Sequence, residues 1–122
     1  MSLVHISDIP VGGDSPLLLI AGPCQVEGRD HALMCAERLS AMARDVGMGF
    51  VYKSSYDKAN RTSANAARGV GMEEGLRIFE AIKDAFGCPL LSDVHLPEQC
   101  AQAAEVIDVL QIPAFLCRQT DL

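Results

Sequence analysis

Four short apolar runs, separated by stretches of helical periodicity, constrain this 122-residue chain more than any other feature. They are "LLLIAG" (Leu17 to Gly22), "GFVYK" (Gly49 to Lys53), "CPLLSDVH" (Cys88 to His95) and "IDVLQIPAF" (Ile107 to Phe115), whose strand is expected to end near Pro113. Continuous apolar runs of this length suit strands buried on both faces. Between the first two, "RDHALMCAERLSAMARDV" (Arg29 to Val46) repeats apolar residues at Leu33, Ala36, Leu39, Ala43 and Val46, a helical spacing stopped by Gly47. "MEEGLRIFEAIKDAF" repeats at Leu76, Phe79, Ile82 and Phe86. Glu73 and Glu74 favour a helix start there, and Gly87 favours its end. "LPEQCAQAAEV" reads as a short helix with Pro97 near its first turn. Near the N-terminus, "VHIS" and "IPV" suit a small hairpin within residues 3–11. The order β-α-β-loop-α-β-α-β predicts a parallel sheet with helices outside it.

Composition narrows the function classes. A net charge of −6 lacks the basic footprint that sequence-independent nucleic-acid binding requires. No apolar run approaches the ~20 residues of a membrane helix. The N-terminus shows no charged segment leading into a long apolar core, so no signal peptide is expected. The five cysteines, Cys24, Cys35, Cys88, Cys100 and Cys117, are odd in number and form no C-x-x-C. They read as free thiols in a reducing cytosol, which makes a cytoplasmic location the expectation. The length suits one domain. Four βα units cannot close an eight-stranded barrel, so the chain is either a small open sheet or the first half of something larger.

In parallel α/β folds, ligands bind beyond the carboxyl ends of the strands. Polar residues gather there in this sequence: "GPC", "KSSYDKANR", "SDVH" and "QIPAFLCRQTD" follow the four runs. From Lys53 to Gly71, Lys53, Lys58, Arg61 and Arg68 face only Asp57, a local charge of +3 in an acidic chain. Ser54, Ser55, Thr62 and Ser63 add hydroxyls, and Asn60 adds an amide. Such an inventory suits a small phosphorylated, polyhydroxylated ligand, and a solvated basic loop explains it equally well. Lys53 closes an apolar strand, which points its amine into such a site. Asp93 and His95 stand two residues apart and share one face. Asp93 could balance a lysine; His95 could donate a proton or bind an anion, or be structural. Gln111 lies inside a strand and needs a partner or a ligand. Arg118 could clamp an anion or pair with Asp121. Cys24 follows Gly-Pro and could bind Zn²⁺ or Fe²⁺, although a buried inert thiol is the ordinary reading. Cys35 and Cys100 read as core filler, Cys88 and Cys117 as structural. His5 and His31 have no constellation around them.

Taken together, "AGPC", "KSSYDKANRTS", "RGVGMEEGL", "SDVH" and "QIPAFLCRQTDL" resemble the N-terminal half of the 3-deoxy-D-manno-octulosonate 8-phosphate synthase family, over nearly the whole chain. "DKANR" and "QIPAFLCRQTD" are the specific motifs. The resemblance implies a (β/α)8 TIM barrel, with residues 1–122 covering about its first four βα units. It implies a homotetramer that condenses phosphoenolpyruvate with D-arabinose 5-phosphate and releases inorganic phosphate, in lipopolysaccharide biosynthesis. By the same resemblance, Lys53, Ser55 and Lys58 hold phosphoenolpyruvate, and Asn60, Arg61 and Thr62 contact arabinose 5-phosphate, partly across a subunit interface. Asp93, His95 and Gln111 line the phosphoenolpyruvate pocket, with Lys58, Asp93 and His95 at the chemistry. Pro113 and Phe115 line the sugar side, and Arg118 belongs to the same strand end. Cys24 resembles the metal-dependent branch, where other members carry asparagine. A Zn²⁺- or Fe²⁺-like ion is thereby implied, its other ligands lying in the family's C-terminal half. Two alternatives stay open. One is the related 3-deoxy-heptulosonate 7-phosphate synthase using erythrose 4-phosphate, whose loop typically reads "KPRT" where this chain has "KANR". The other is a non-catalytic half-barrel.

Overall fold

The structure is a computed structural model describing residues 2–58, 69–119 and 121–122. An antiparallel hairpin comes first, β1 (Val4–Ile6) and β2 (Ile9–Val11), as the sequence suggests. Then follow β3 (Leu18–Ala21), α1 (Arg29–Asp45), β4 (Gly49–Lys53), α2 (Met72–Phe86), β5 (Leu90–Asp93), α3 (Pro97–Ala104) and β6 (Val109–Gln111). Strands β3 to β6 form one parallel sheet in sequence order. Each strand pairs with the next one in the chain across an intervening helix or helix-containing connection, the arrangement of the first βα units of a (β/α)8 barrel. No helix among the described residues is long and apolar enough to cross a membrane.

Local chemistry sets the element ends. Gly47, at φ 69°, turns the chain out of α1, its N–H donating to the Arg44 carbonyl at 3.1 Å. Glu73 and Glu74 occupy the first turn of α2, where the helix dipole favours them. Gly87 ends α2 in the left-handed conformation and donates to the Lys83 carbonyl at 2.8 Å. Pro97 is the first residue of α3, a position whose N–H has no helical partner.

Two expectations are corrected. The fourth strand, expected to end near Pro113, ends two residues earlier at Gln111, and residues 114–118 turn, with Leu116 N–H on the Pro113 carbonyl at 2.9 Å. Pro113 has no N–H to extend a ladder. Val46 lies past the end of α1 and is 68% exposed, so it does not join the apolar stripe. The stripe is instead made by small residues, Ala32, Ala36 and Ala43, with Leu33 and Leu39 half-buried beside them. Helix α2 buries Ile78 in addition to Leu76, Phe79 and Ile82, because it packs on α1 as well as on the sheet.

The period-two alternation of the strands divides the sheet into two faces. Leu19, Ala21, Phe50, Tyr52, Leu90 and Leu110 pack into the core with the helices. Within it the Tyr52 and Phe79 rings meet edge to face at 6.1 Å. The opposite face therefore carries Leu18, Ile20, Val51, Leu91 and Val109, and ends in Lys53, Asp93 and Gln111. Gly22 extends β3 toward that end. A Cβ on it would stand 1.7 Å from the Lys53 carbonyl oxygen, so only glycine lets the two chains close there. Gly28 is the contrast: it is extended, and a Cβ would meet nothing within 4 Å. Gly22→Ala is expected to destabilise the fold by at least about 1–3 kcal/mol, as overpacking does. Gly28→Ser, at an N-cap position, should change stability by less than about 0.5 kcal/mol. Urea unfolding midpoints of the two variants check the contrast; equal midpoints contradict it.

Candidate active site

The carboxyl edge of the sheet is held together past the last strand residues. Ser54 N–H donates to the Leu91 carbonyl at 3.3 Å and Ser54 Oγ to the Pro23 carbonyl at 2.8 Å. Ser55 N–H donates to the Cys24 carbonyl at 3.3 Å, and Val26 N–H to the Ser55 carbonyl at 2.8 Å. "GPC" and "KSS" are thus laced side by side. Lys53, Asp93 and Gln111 end their strands on the same face, and Asp93 and Gln111 are register partners.

Asp93 is the centre of the edge. It is only 5% exposed, and a buried carboxylate is costly unless paired. Ser55 Oγ donates to Asp93 Oδ1, and His95 Nε2 lies 2.9 Å from Oδ2. Lys58 Nζ donates to Ser55 Oγ at 2.8 Å. The Ser55 hydroxyl therefore relays a cation's pull onto the carboxylate, and each bond strengthens the other. His95 is also buried, at 8% exposure. Its Nε2 approaches Asp93 from a poor angle, and neither ring nitrogen has an aligned hydrogen bond among the described residues.

Tyr56 packs behind this group. Its side chain is fully buried, its ring meets the His95 ring at 6.0 Å and 87°, and its hydroxyl donates to Gln99 Oε1 at 3.2 Å. Burial pushes the Tyr56 phenol up to about 12, and the negative charges of Asp93, Asp57 and Cys100 add to it. The Tyr56 backbone gathers the loop as well: Gly71 N–H donates to its carbonyl at 2.9 Å, and Gly69 passes so close that a Cβ would stand 2.6 Å from the same oxygen.

The structure thus brings Cys24, Lys53, Ser55, Lys58, Asp93, His95 and Gln111 to one edge. Asn60, Arg61 and Thr62 lie outside the described residues. Pro113 is buried, whereas Phe115 is 75% exposed and Arg118 exposed in the turn after β6. Among the described residues Arg118 makes no ion pair with Asp121. Cys24 is exposed, which corrects the reading of it as a buried thiol. Cys88 is buried, with its thiol pushed up by that burial. Cys117 is exposed, and Cys35 and Cys100 are half-buried rather than full core residues. His31 does have neighbours: Cys35 Sγ at 3.7 Å, four residues on along the same helix face, and Glu27 at 3.8 Å, just before the helix starts. Sequence reasoning missed Tyr56 and Gln99. The only signal for Gln99 was its place as third residue of a Pro-started helix.

The sequence profile of the DAHP synthetase I family matches residues 2–122. The chain belongs to that family. Its curated relatives include the 2-dehydro-3-deoxyphosphooctonate aldolases of Bartonella quintana, 58% identical over 121 residues, and Bartonella henselae, 57% identical over 121 residues. That of Rickettsia bellii is 54% identical over 120 residues. These matches cover 99%, 99% and 98% of this chain and 44%, 43% and 44% of the relatives, on their N-terminal portion. The chain therefore spans less than half the length of these relatives. Their name is that of the octulosonate 8-phosphate synthases which the sequence motifs resemble.

The raised phenol of Tyr56 has a consequence at alkaline pH. A folded-state value of about 12 against an ordinary 10.0 means the neutral phenol contributes stability that is fully present below pH 10.0 and lost as pH rises toward 12. Tyr56→Phe should flatten the fall in unfolding midpoint over that window. An unchanged alkaline slope contradicts the assignment.

Proposed function

We propose that this edge binds phosphoenolpyruvate, and that the protein condenses it with D-arabinose 5-phosphate to give 3-deoxy-D-manno-octulosonate 8-phosphate and inorganic phosphate, in lipopolysaccharide biosynthesis. The observation that carries the reading is the chain from half-buried Lys58 through buried Ser55 and Asp93 to His95, with Lys53 and Gln111 ending on the same sheet face. Phosphoenolpyruvate presents a phosphate and a carboxylate. Lys53 and Lys58 match those charges, and Gln111 and the Ser55 hydroxyl add neutral hydrogen-bonding groups. Asp93 keeps the site from being uniformly positive and holds Ser55 and Lys58 in place. Asn60, Arg61 and Thr62 take the sugar phosphate, Pro113 and Phe115 flank the sugar, and Arg118 supplies a further anion contact.

In the condensation, carbon three of phosphoenolpyruvate forms a bond to the aldehyde carbon of the sugar, and the aldehyde oxygen takes a proton. Water adds at carbon two, and the bond from that carbon to the phosphate oxygen breaks to release phosphate. His95 gives the proton to the aldehyde oxygen in this reading, which its burial at this edge supports, with neither ring nitrogen in an aligned hydrogen bond among the described residues. Cys24 offers one soft donor for a Zn²⁺- or Fe²⁺-like ion. No group of three or more metal-binding side chains accompanies it among the described residues, so these residues do not form a metal site by themselves. A homotetramer in the cytoplasm completes the reading, by the family resemblance.

The family profile also admits the erythrose 4-phosphate reaction, while the relatives' names and the "KANR" motif favour arabinose 5-phosphate. Calorimetric titration with phosphoenolpyruvate, and phosphate release with each sugar phosphate in turn, test the proposal. No phosphoenolpyruvate binding, or equal release with erythrose 4-phosphate, overturns it. Lys58→Ala and Arg61→Ala should each remove a charge-assisted contact of roughly 1.5–3 kcal/mol, about one to two decades in kcat/KM. Arg61→Ala should mainly raise the KM for the sugar phosphate. A loss of activity that tracks a loss of folding, in either variant, contradicts these roles.

A further inference from the structure

Gln99 is the third residue of α3, and its side-chain oxygen accepts three donors. The His95 N–H reaches it at 2.8 Å and the Leu96 N–H at 3.1 Å. The Leu96 bond is the capping bond of the helix start, and the His95 bond extends it to the residue before the cap. The third donor, the Tyr56 hydroxyl at 3.2 Å, is not needed by the helix. It comes from 43 residues earlier in the chain, beyond β4, and so ties the β4 side of the edge to the β5–α3 turn.

The His95 ring explains what that tie does. Among the described residues neither ring nitrogen has an aligned hydrogen bond, yet the ring is buried and stands against Asp93. Its direction is therefore set by packing and by its backbone. The packing partner is Tyr56, edge to face, and the backbone N–H is held by Gln99. Both supports converge on one oxygen atom. We infer that Gln99 is a positioning residue, acting through Tyr56 and the His95 backbone to hold the imidazole against Asp93. Its importance for turnover rests on the proposed role of His95; the geometry it imposes does not.

Two substitutions separate this from helix capping alone. Gln99→Met keeps the length and removes the acceptor, and Gln99→Glu keeps an acceptor oxygen. Nuclear Overhauser contacts between the Tyr56 and His95 rings are the direct reading. They should be lost in Gln99→Met and retained in Gln99→Glu, with kcat lowered about three- to tenfold in the former, the equivalent of one hydrogen bond, and KM for phosphoenolpyruvate little changed. Ring contacts unchanged in Gln99→Met, or lost in Gln99→Glu, overturn the inference. Should Gln99→Met fail to fold, Tyr56→Phe reads the same tie by deleting one donor and keeping the ring. The His95 ring signals should then shift, and unshifted signals overturn the inference. Failure of the wild-type chain to bind phosphoenolpyruvate overturns the functional reading instead, and the ring contacts still decide the role of Gln99.

Discussion

A carboxylate out of water dictates much of this structure. Asp93, 5% exposed at the end of β5, needs partners whose combined attraction offsets desolvation worth several kcal/mol. Ser55 is the hydrogen-bonding partner, carrying the pull of Lys58, and His95 stands against the other oxygen; Ser55 and His95 each make their own demand. Ser55 must leave β4 in an extended conformation, which the Cys24 and Val26 backbones provide by pairing with it on both sides. His95 must fold back beside the strand it has just left, which the start of α3 accomplishes. The loop–sheet geometry at this edge is thus the solution to a charge-burial problem, and the chemistry is assembled as part of that solution.

The sheet separates stability from reactivity by parity alone. Along β4, Phe50 and Tyr52 face the helices, while Val51 and Lys53 face the other way. Along β5, Leu90 joins the helical core, while Leu91 and Asp93 turn away from it. Large-to-small changes on the helix side act on packing, at roughly 2–5 kcal/mol each. The last residue on the other side acts on charge. A one-residue slip in register would exchange the two sets, so the packing of Tyr52 on Phe79 also fixes where Lys53 emerges.

How much of this was legible depended on whether the cause was local. Strand β4 could be read to the residue, and the ends of α2 were marked by Glu73, Glu74 and Gly87, because helix dipoles and left-handed turns are short-range effects. The convergence of Lys53, Asp93 and Gln111 followed from the alternation of elements. Pro113 marked the end of the strand in "IDVLQIPAF" to within two residues, since a proline has no N–H to extend a ladder, and β6 stops at Gln111. Val46 fitted a helical period but fell beyond the glycine-terminated helix. Cys24, Tyr56 and Gln99 were out of reach for a different reason. Exposure of the first, and the bond between the other two, depend on segments far apart in sequence, and no local pattern encodes them. The assignment of Asn60, Arg61 and Thr62 rests on motif resemblance alone.

The Tyr56 carbonyl marks both the departure and the return of the polar segment, with Gly71 bonded to it and Gly69 pressed against it. A segment whose two ends meet at one rigid point is modular. Entropy of closure grows only slowly with length, each doubling adding about 0.6 kcal/mol. Insertions or exchanges between Lys58 and Gly69 would therefore weigh little on the fold, provided Lys58, the two glycines and the tyrosine stay. Selection can rewrite that segment while the sheet beneath keeps its sequence, which makes it a replaceable cassette on a fixed scaffold.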